Sequence, residues 1–312
     1  MGPDGTLYVA DWYNPIINHG EVDFRDSRRD YKHGRIWRVS VKDRERTNPP
    51  KFAEATVPEL LDMLKLPEQR TRHMARVELK KRGGYKVSYD LDKWTDELAE
   101  DDLAGRLESL WTHEATRRID QPLLYGLLEC NDHRYRAAAV RVLGHYGDRI
   151  KGWEERLIAA AQDEHPQVRL ESLAAIRAKP SRRAAEMAML VMDQPMDKNV
   201  DFALWVTMRE LEEHWLPTME TDTPVDFASN PAKALFALRA VGKSNVAAPL
   251  VKLLESDSLS DKDWSDMVAL VGDFGEPEHL DKLLDIAVTD AARRDTAPVS
   301  YTHLTLPTIC SV

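Results

Sequence analysis

Cysteine is nearly absent: the 312 residues hold two, Cys130 and Cys310. Two thiols so far apart provide no disulfide framework of the kind that holds small secreted domains together. Nor is there a Cys-x-x-Cys-His run for covalent haem attachment, since Cys130-Asn131-Asp132-His133 supplies only one of the two thiols. Cys130 is read as a packed or partly exposed thiol. Positive charge is also short, with 43 Lys and Arg against 53 Asp and Glu and a net charge of -10. That balance excludes a general affinity for nucleic acid, which is dominated by cationic contacts to phosphate. No run of 18 apolar residues exists to span a bilayer. No metal site is expected either: Asp90, Asp92 and Asp96 lack the central glycine of a calcium loop, and Glu212-Glu213-His214 has no second ligand cluster beside it.

What is present begins with a short β pattern. Pro3-Asp4-Gly5 is a turn signal, Thr6-Leu7-Tyr8-Val9-Ala10 is rich in strand formers, and Gly34 to Val41 alternates apolar and polar residues as a strand does. Between them lies the densest polar constellation of the chain, in which His19, Arg25, Asp26, Arg29, Asp30 and His33 are the candidate site-lining residues. Such a loop can hold a metal, position a substrate carboxylate, or close on itself as an ion-pair network. The interleaving of acids and bases in Arg25-Asp26-Ser27-Arg28-Arg29-Asp30 favours the network.

From Thr56 onward the apolar spacing becomes helical and repeats. Val57 to Leu64 superposes on Gln121 to Leu128, 64 residues later, and the next helix keeps the offset, with Arg72, Ala75 and Leu79 falling on Arg136, Ala139 and Leu143. A further 33 residues give Arg169, Ser172 and Ile176. A unit of this length is a pair of short antiparallel helices, which buries its apolar stripe only against the pairs before and after it. The small residue at Ala75, Ala139 and Ser172 permits close helix approach. Asp132 and Asp163 are placed to cap the second helix of their pairs. Leu91 to His113 reads as a diverged pair, Ala184 to Met192 with Val200 to Trp215 as another, Leu216 to Asn230 as a loop, and helix resumes at Pro231. Trp94, Trp111, Trp153, Trp205, Trp215 and Trp264 are expected in the core between helices.

The run from Asp163 to Ile176, with its Val168-Arg169 pair, resembles the signature of HEAT-type repeats. That resemblance implies an arginine ladder, Arg72, Arg136 and Arg169, reaching acidic groups of adjoining units. The expected fold is therefore mostly α, a HEAT-like α-solenoid over residues 51–297 preceded by a β segment over 1–50. Residues 298–312 contain no Asp, Glu, Lys or Arg, and Val299 to Thr308 resembles the translation of a transposase adapter used in sequencing libraries. This tail is expected to be non-native, and the chain is expected to be a piece of a longer protein.

Gly2-Pro3-Asp4-Gly5-Thr6-Leu7-Tyr8-Val9-Ala10-Asp11-Trp12-Tyr13-Asn14-Pro15, with the His19 to Val39 segment, resembles the end of the β-propeller in membrane-bound dehydrogenases of planctomycete-like bacteria. In these proteins a propeller similar to glucose and sorbosone dehydrogenases precedes HEAT-like repeats and often a c-type cytochrome domain. The resemblance implies a periplasmic or extracellular parent with a quinone cofactor and haem c, neither assigned to this stretch of it. The array would then be a scaffold or docking module beside an electron-transfer domain. It also implies that this piece alone is catalytically inactive, and no catalytic residue is mapped onto it. The alternative is a non-enzymatic scaffold whose solenoid surface binds a protein partner.

Overall fold

The computed structural model describes residues 2, 4–12, 25–43, 48–254 and 260–289. It is mostly helical, with fifteen α-helices and one two-stranded sheet among the described residues. The chain divides into two compact units, Met1–Ile119 and Asp120–Val312.

The first unit opens with the sheet. Strand β1, Leu7–Trp12, pairs antiparallel with β2, Gly34–Val39, so that Leu7 lies opposite Val39 and Trp12 opposite Gly34. The turn before β1 is built by Asp4, whose Oδ1 accepts from Thr6 Oγ1 at 2.6 Å and Thr6 N at 3.2 Å, with Gly5 at φ 75°. Alternation in a strand usually separates a covered face from a wet one. Here every residue of β2 is exposed, Ile36 to 75%, and Leu7 and Val9 of β1 are exposed too.

Four helices follow: α1 Val57–Met63, α2 Gln69–Arg82, α3 Gly84–Asp96 and α4 Leu103–Ala115. Their starts are written in the sequence. Thr56 and Glu59 form a reciprocal capping box on α1, with Thr56 N donating to Glu59 Oε2 at 2.6 Å. Asp102 Oδ1 caps α4 by accepting from Gly105 N at 2.9 Å. The core is Leu60, Leu61, Leu64, Ala75, Leu79, Val87, Leu91 and Trp94, all buried. The diverged pair expected from Leu91 is α3 and α4, and it begins earlier, at Gly84. The aspartates at 90, 92 and 96 lie along α3, and Asp92 accepts two hydrogen bonds from Arg118, each 3.0 Å.

The second unit contains α5 Gln121–Leu128, α6 His133–Tyr146, α7 Trp153–Ala161, α8 Pro166–Arg177, α9 Arg182–Met189, α10 Lys198–Glu210, α11 Glu212–Trp215, α12 Pro231–Val241, α13 Ala247–Leu254, α14 Asp261–Phe274 and α15 Pro277–Thr289. Helices α6, α8, α10, α12 and α14 form a row in which each packs on the next, while α5, α7, α9 and α13 pair with members of that row. Ala139 and Ser172 are both fully buried, as is Ala75 in the first unit, and so are Leu143 and Ile176 at the equivalent offsets. Between α6 and α8 the approach is close at Gly144, where an added Cβ would stand 2.6 Å from that of Ala175. The segment expected as a loop from Leu216 to Asn230 holds two short 3-10 turns, Leu216–Thr218 and Asp226–Ser229.

Burial corrects the expectation for the tryptophans. Trp94, Trp215 and Trp264 are buried, but Trp111, Trp153 and Trp205 are only half-buried. Each of these three has a cation over its ring: Arg76 at 5.2 Å, Lys179 at 5.4 Å and Arg209 at 5.1 Å. An indole at the edge of a helix layer keeps one face against the core and shields the other with a long charged side chain.

Candidate functional site

The loop leading into β2 is folded by its own carboxylates. Asp26 Oδ1 accepts from Arg28 N at 2.9 Å and Arg28 Nε at 3.0 Å, and Asp26 Oδ2 accepts from Arg28 Nη2 at 2.7 Å. Asp30 Oδ1 accepts from the amides of Lys32 and His33 at 2.9 and 3.1 Å, and its Oδ2 lies 2.7 Å from His33 Nδ1. These are the local turns that short acidic side chains favour. In the sheet below, Asp11 Oδ2 accepts from Trp37 Nε1 at 2.8 Å, and Arg35 stacks over the same indole at 5.5 Å.

Of the residues singled out from sequence, Asp26, Asp30 and His33 are thus held by neighbours two or three positions away, and Arg25 and Arg29 are engaged as well. His19 lies outside the described residues, as does the tail over 298–312. The Asp30–His33 pair has the geometry of a carboxylate orienting an imidazole, but the His33 side chain is 75% exposed and no described group closes over it. Among the described residues no three His, Cys, Asp or Glu side chains gather as a metal site.

The electrostatics follow from these bonds. The Arg28 guanidinium, and then its backbone amide, hold the Asp26 carboxyl at about 2, down from 3.8. The Lys32 amide, and then the His33 ring, lower that of Asp30. A carboxylate depressed in the folded state stabilises that state above its ordinary pKa, and the contribution fades as pH falls through the folded value. The turn is therefore intact at neutral pH and loosens between 3.8 and about 2. In a carbon-detected NMR titration the Asp26 carboxyl should show a midpoint near 2, returning toward 3.8 in Arg28→Ala. An unmoved midpoint in that variant would rule out Arg28 as the cause.

The arginines of the repeat share one geometry. In each, Nη1 donates to the two carbonyls five and six residues earlier: Leu66 and Pro67 for Arg72, both 2.8 Å; Cys130 and Asn131 for Arg136, 2.9 and 3.0 Å; Asp163 and Glu164 for Arg169, 2.7 and 3.0 Å. In each, a further nitrogen reaches onward. Arg72 Nε donates to Glu108 Oε1 at 2.9 Å, and Arg136 Nε and Nη2 clasp Asp163 at 2.8 and 2.9 Å. Arg169 differs, because the group it meets is the Pro195 carbonyl and not a carboxylate.

Asp163 also departs from expectation. Its carboxylate is taken by Arg136 and by the amide of His165, so the cap of α8 is the His165 ring, which accepts from Gln167 N at 3.2 Å. Asp132 does cap α6, accepting from Arg134 N at 2.9 Å. Cys130 is half-buried and its thiol donates to Asp132 O at 3.4 Å, while His133 is stacked on His165 with ring centroids 3.4 Å apart. Sequence reasoning missed Glu108, which is 6% exposed and ion-paired to both Arg72 and Arg76. The available signal was a glutamate set between Leu107 and Leu110 on an apolar helix face.

A family model described as a domain of unknown function (DUF7133) matches residues 1–43, which takes in the sheet and its polar loop and reaches none of the helices. No curated protein matches the chain.

Proposed function

We propose that the helical region is a HEAT-like repeat scaffold that docks a neighbouring protein or domain and does no chemistry of its own. The observation that carries this reading is the row from α6 to α14, each helix on the next, with an arginine fixing one inter-helix turn and reaching toward the following pair. Repeats of that kind contact only their neighbours and offer long, continuous surfaces. In the same reading the β segment is the end of a dehydrogenase propeller, which residues 2–41 resemble. The family match over residues 1–43 supports the extent of that segment and is silent on chemistry.

The residues present do not fit haem c. The one described cysteine stands alone, and the nearby His133 is stacked against His165. In the described part of the loop, Asp26 and Asp30 are turned onto their own neighbours.

Two measurements test the proposal. Amide hydrogen exchange on the full chain should give protection graded from helix to helix along α6 to α14, as nearest-neighbour stacking requires; one global opening rate for all of them would contradict the repeat reading. Incubated with a quinone cofactor, a sugar or alcohol and an artificial electron acceptor, the chain should show no turnover above background. Turnover that disappears in His33→Ala would place a catalytic site in the polar loop and overturn the scaffold reading.

A further inference from the structure

Within the first unit, α2 and α4 pack together, and a cleft of about 480 Å3 is lined by Arg76, Lys80, Trp111, Glu114, Ala115 and Arg117. Three of these six side chains are cations, on a chain whose net charge is -10. Their charge is poorly offset. Arg76 is paired with Glu108, but that one carboxylate also serves Arg72, so the trio retains a net positive charge. Lys80 lies one turn beyond Arg76 on the same face of α2. Among the described residues neither Lys80 nor Arg117 has a side-chain hydrogen bond or a carboxylate partner, whereas Glu114 on the cleft wall has a partner of its own.

The backbone helps to bring Arg117 there. Its φ is 62°, in the left-handed region that a glycine usually fills just past a helix, and Arg118 N donates back to His113 O at 2.8 Å to close the helix end. Lys80 and Arg117 also sit near the carboxyl ends of α2 and α4. A helix end presents only about half a negative charge, which leaves most of each charge unneutralised. Trp111 differs in kind, being half-buried with Arg76 over its ring at 5.2 Å.

We propose that this cleft binds a small dianionic oxyanion carrying an apolar or aromatic group, a phosphomonoester in class, with its phosphate between Lys80 and Arg117 and its organic part against the portion of Trp111 that Arg76 leaves uncovered. Two unpartnered cations match a dianion, charge-assisted hydrogen bonds are the strong ones, and the uncovered part of the indole supplies an apolar wall. The site is independent of the scaffold reading, because it needs only the α2–α4 pair.

The test is calorimetric titration of the full chain with phenyl phosphate, inorganic phosphate and phenol. Phenyl phosphate should bind more tightly than inorganic phosphate, and phenol should not bind measurably. The Lys80→Ala/Arg117→Gly double variant should weaken phenyl phosphate by about tenfold or more; glycine suits the left-handed position, so that change does not strain the fold. Trp111→Leu should bring phenyl phosphate down to the affinity of inorganic phosphate. Absence of binding by either phosphate, or unchanged binding in the double variant, would overturn the site; equal affinity of the two phosphates in the parent chain would overturn the role of Trp111.

Discussion

Arg169→Leu is expected to destabilise the second unit by about 3 kcal/mol, read as a lower urea midpoint with an unchanged slope. The Arg169 side chain is among the largest fully buried ones, and its guanidinium feeds three carbonyls, those of Asp163, Glu164 and Pro195. Two effects oppose each other. Removing a buried cation relieves its desolvation, and exchanging a buried charge for an apolar residue is in some proteins neutral or better. That outcome requires both sides of the interaction to be replaced, and here the carbonyls remain, each costing about 1–3 kcal/mol when left unpaired out of water. The second effect wins because one leucine accepts no donor's role in three bonds. Arg169→Lys separates the contributions: it keeps the charge but cannot fork, so it should recover only part of the loss. A change below about 0.5 kcal/mol in Arg169→Leu would mean that water replaces the guanidinium and that this rung is dispensable.

Arg169 also illustrates what the sequence can carry. Its spacing from Arg136 and its place in the first turn of a helix are legible, because the offset of 33 residues repeats with small and apolar residues in step, Ala139 with Ser172 and Leu143 with Ile176. What it meets is not legible. The expected acid is replaced by the Pro195 carbonyl, and a carbonyl leaves no mark in the residue type. Asp163 shows the same limit from the other side: an aspartate before a helix reads as a cap, yet Arg136 from the preceding pair claims it and His165 caps instead. Local patterns locate helix ends, whereas competition for one carboxylate between a near amide and a distant guanidinium is settled by packing. The sheet fails for a related reason. Alternation in Gly34 to Val39 identifies a strand, but whether either face is covered depends on what lies against it, and the described residues leave both open. The α2–α4 cleft was invisible because Lys80 and Arg117 are 37 positions apart and each, alone, reads as an ordinary surface cation.

Glu108→Ala is expected to cost the first unit about 2–4 kcal/mol, more than a surface ion pair ever does. The carboxylate is 6% exposed and joins α4 to α2 through two arginines, Arg72 at 2.9 Å and Arg76. Those arginines are themselves only partly covered, their side chains 25% and 19% exposed, so water recovers some of the loss and the upper end of the range for a buried pair does not apply. Glu108→Gln keeps the shape and one acceptor while removing the charge, and should cost about half as much. The two substitutions also differ in their reach. Arg76 lies over Trp111 and is ion-paired to Glu108, so loss of the carboxylate frees Arg76 to turn toward solvent. The environment of Trp111 should then become wetter, which a red shift in emission relative to the Trp111→Phe background would report. Unfolding that moves by less than about 1 kcal/mol in Glu108→Ala, with no change at Trp111, would show that α2 and α4 are held by their apolar contacts and that the buried carboxylate does not organise the cleft.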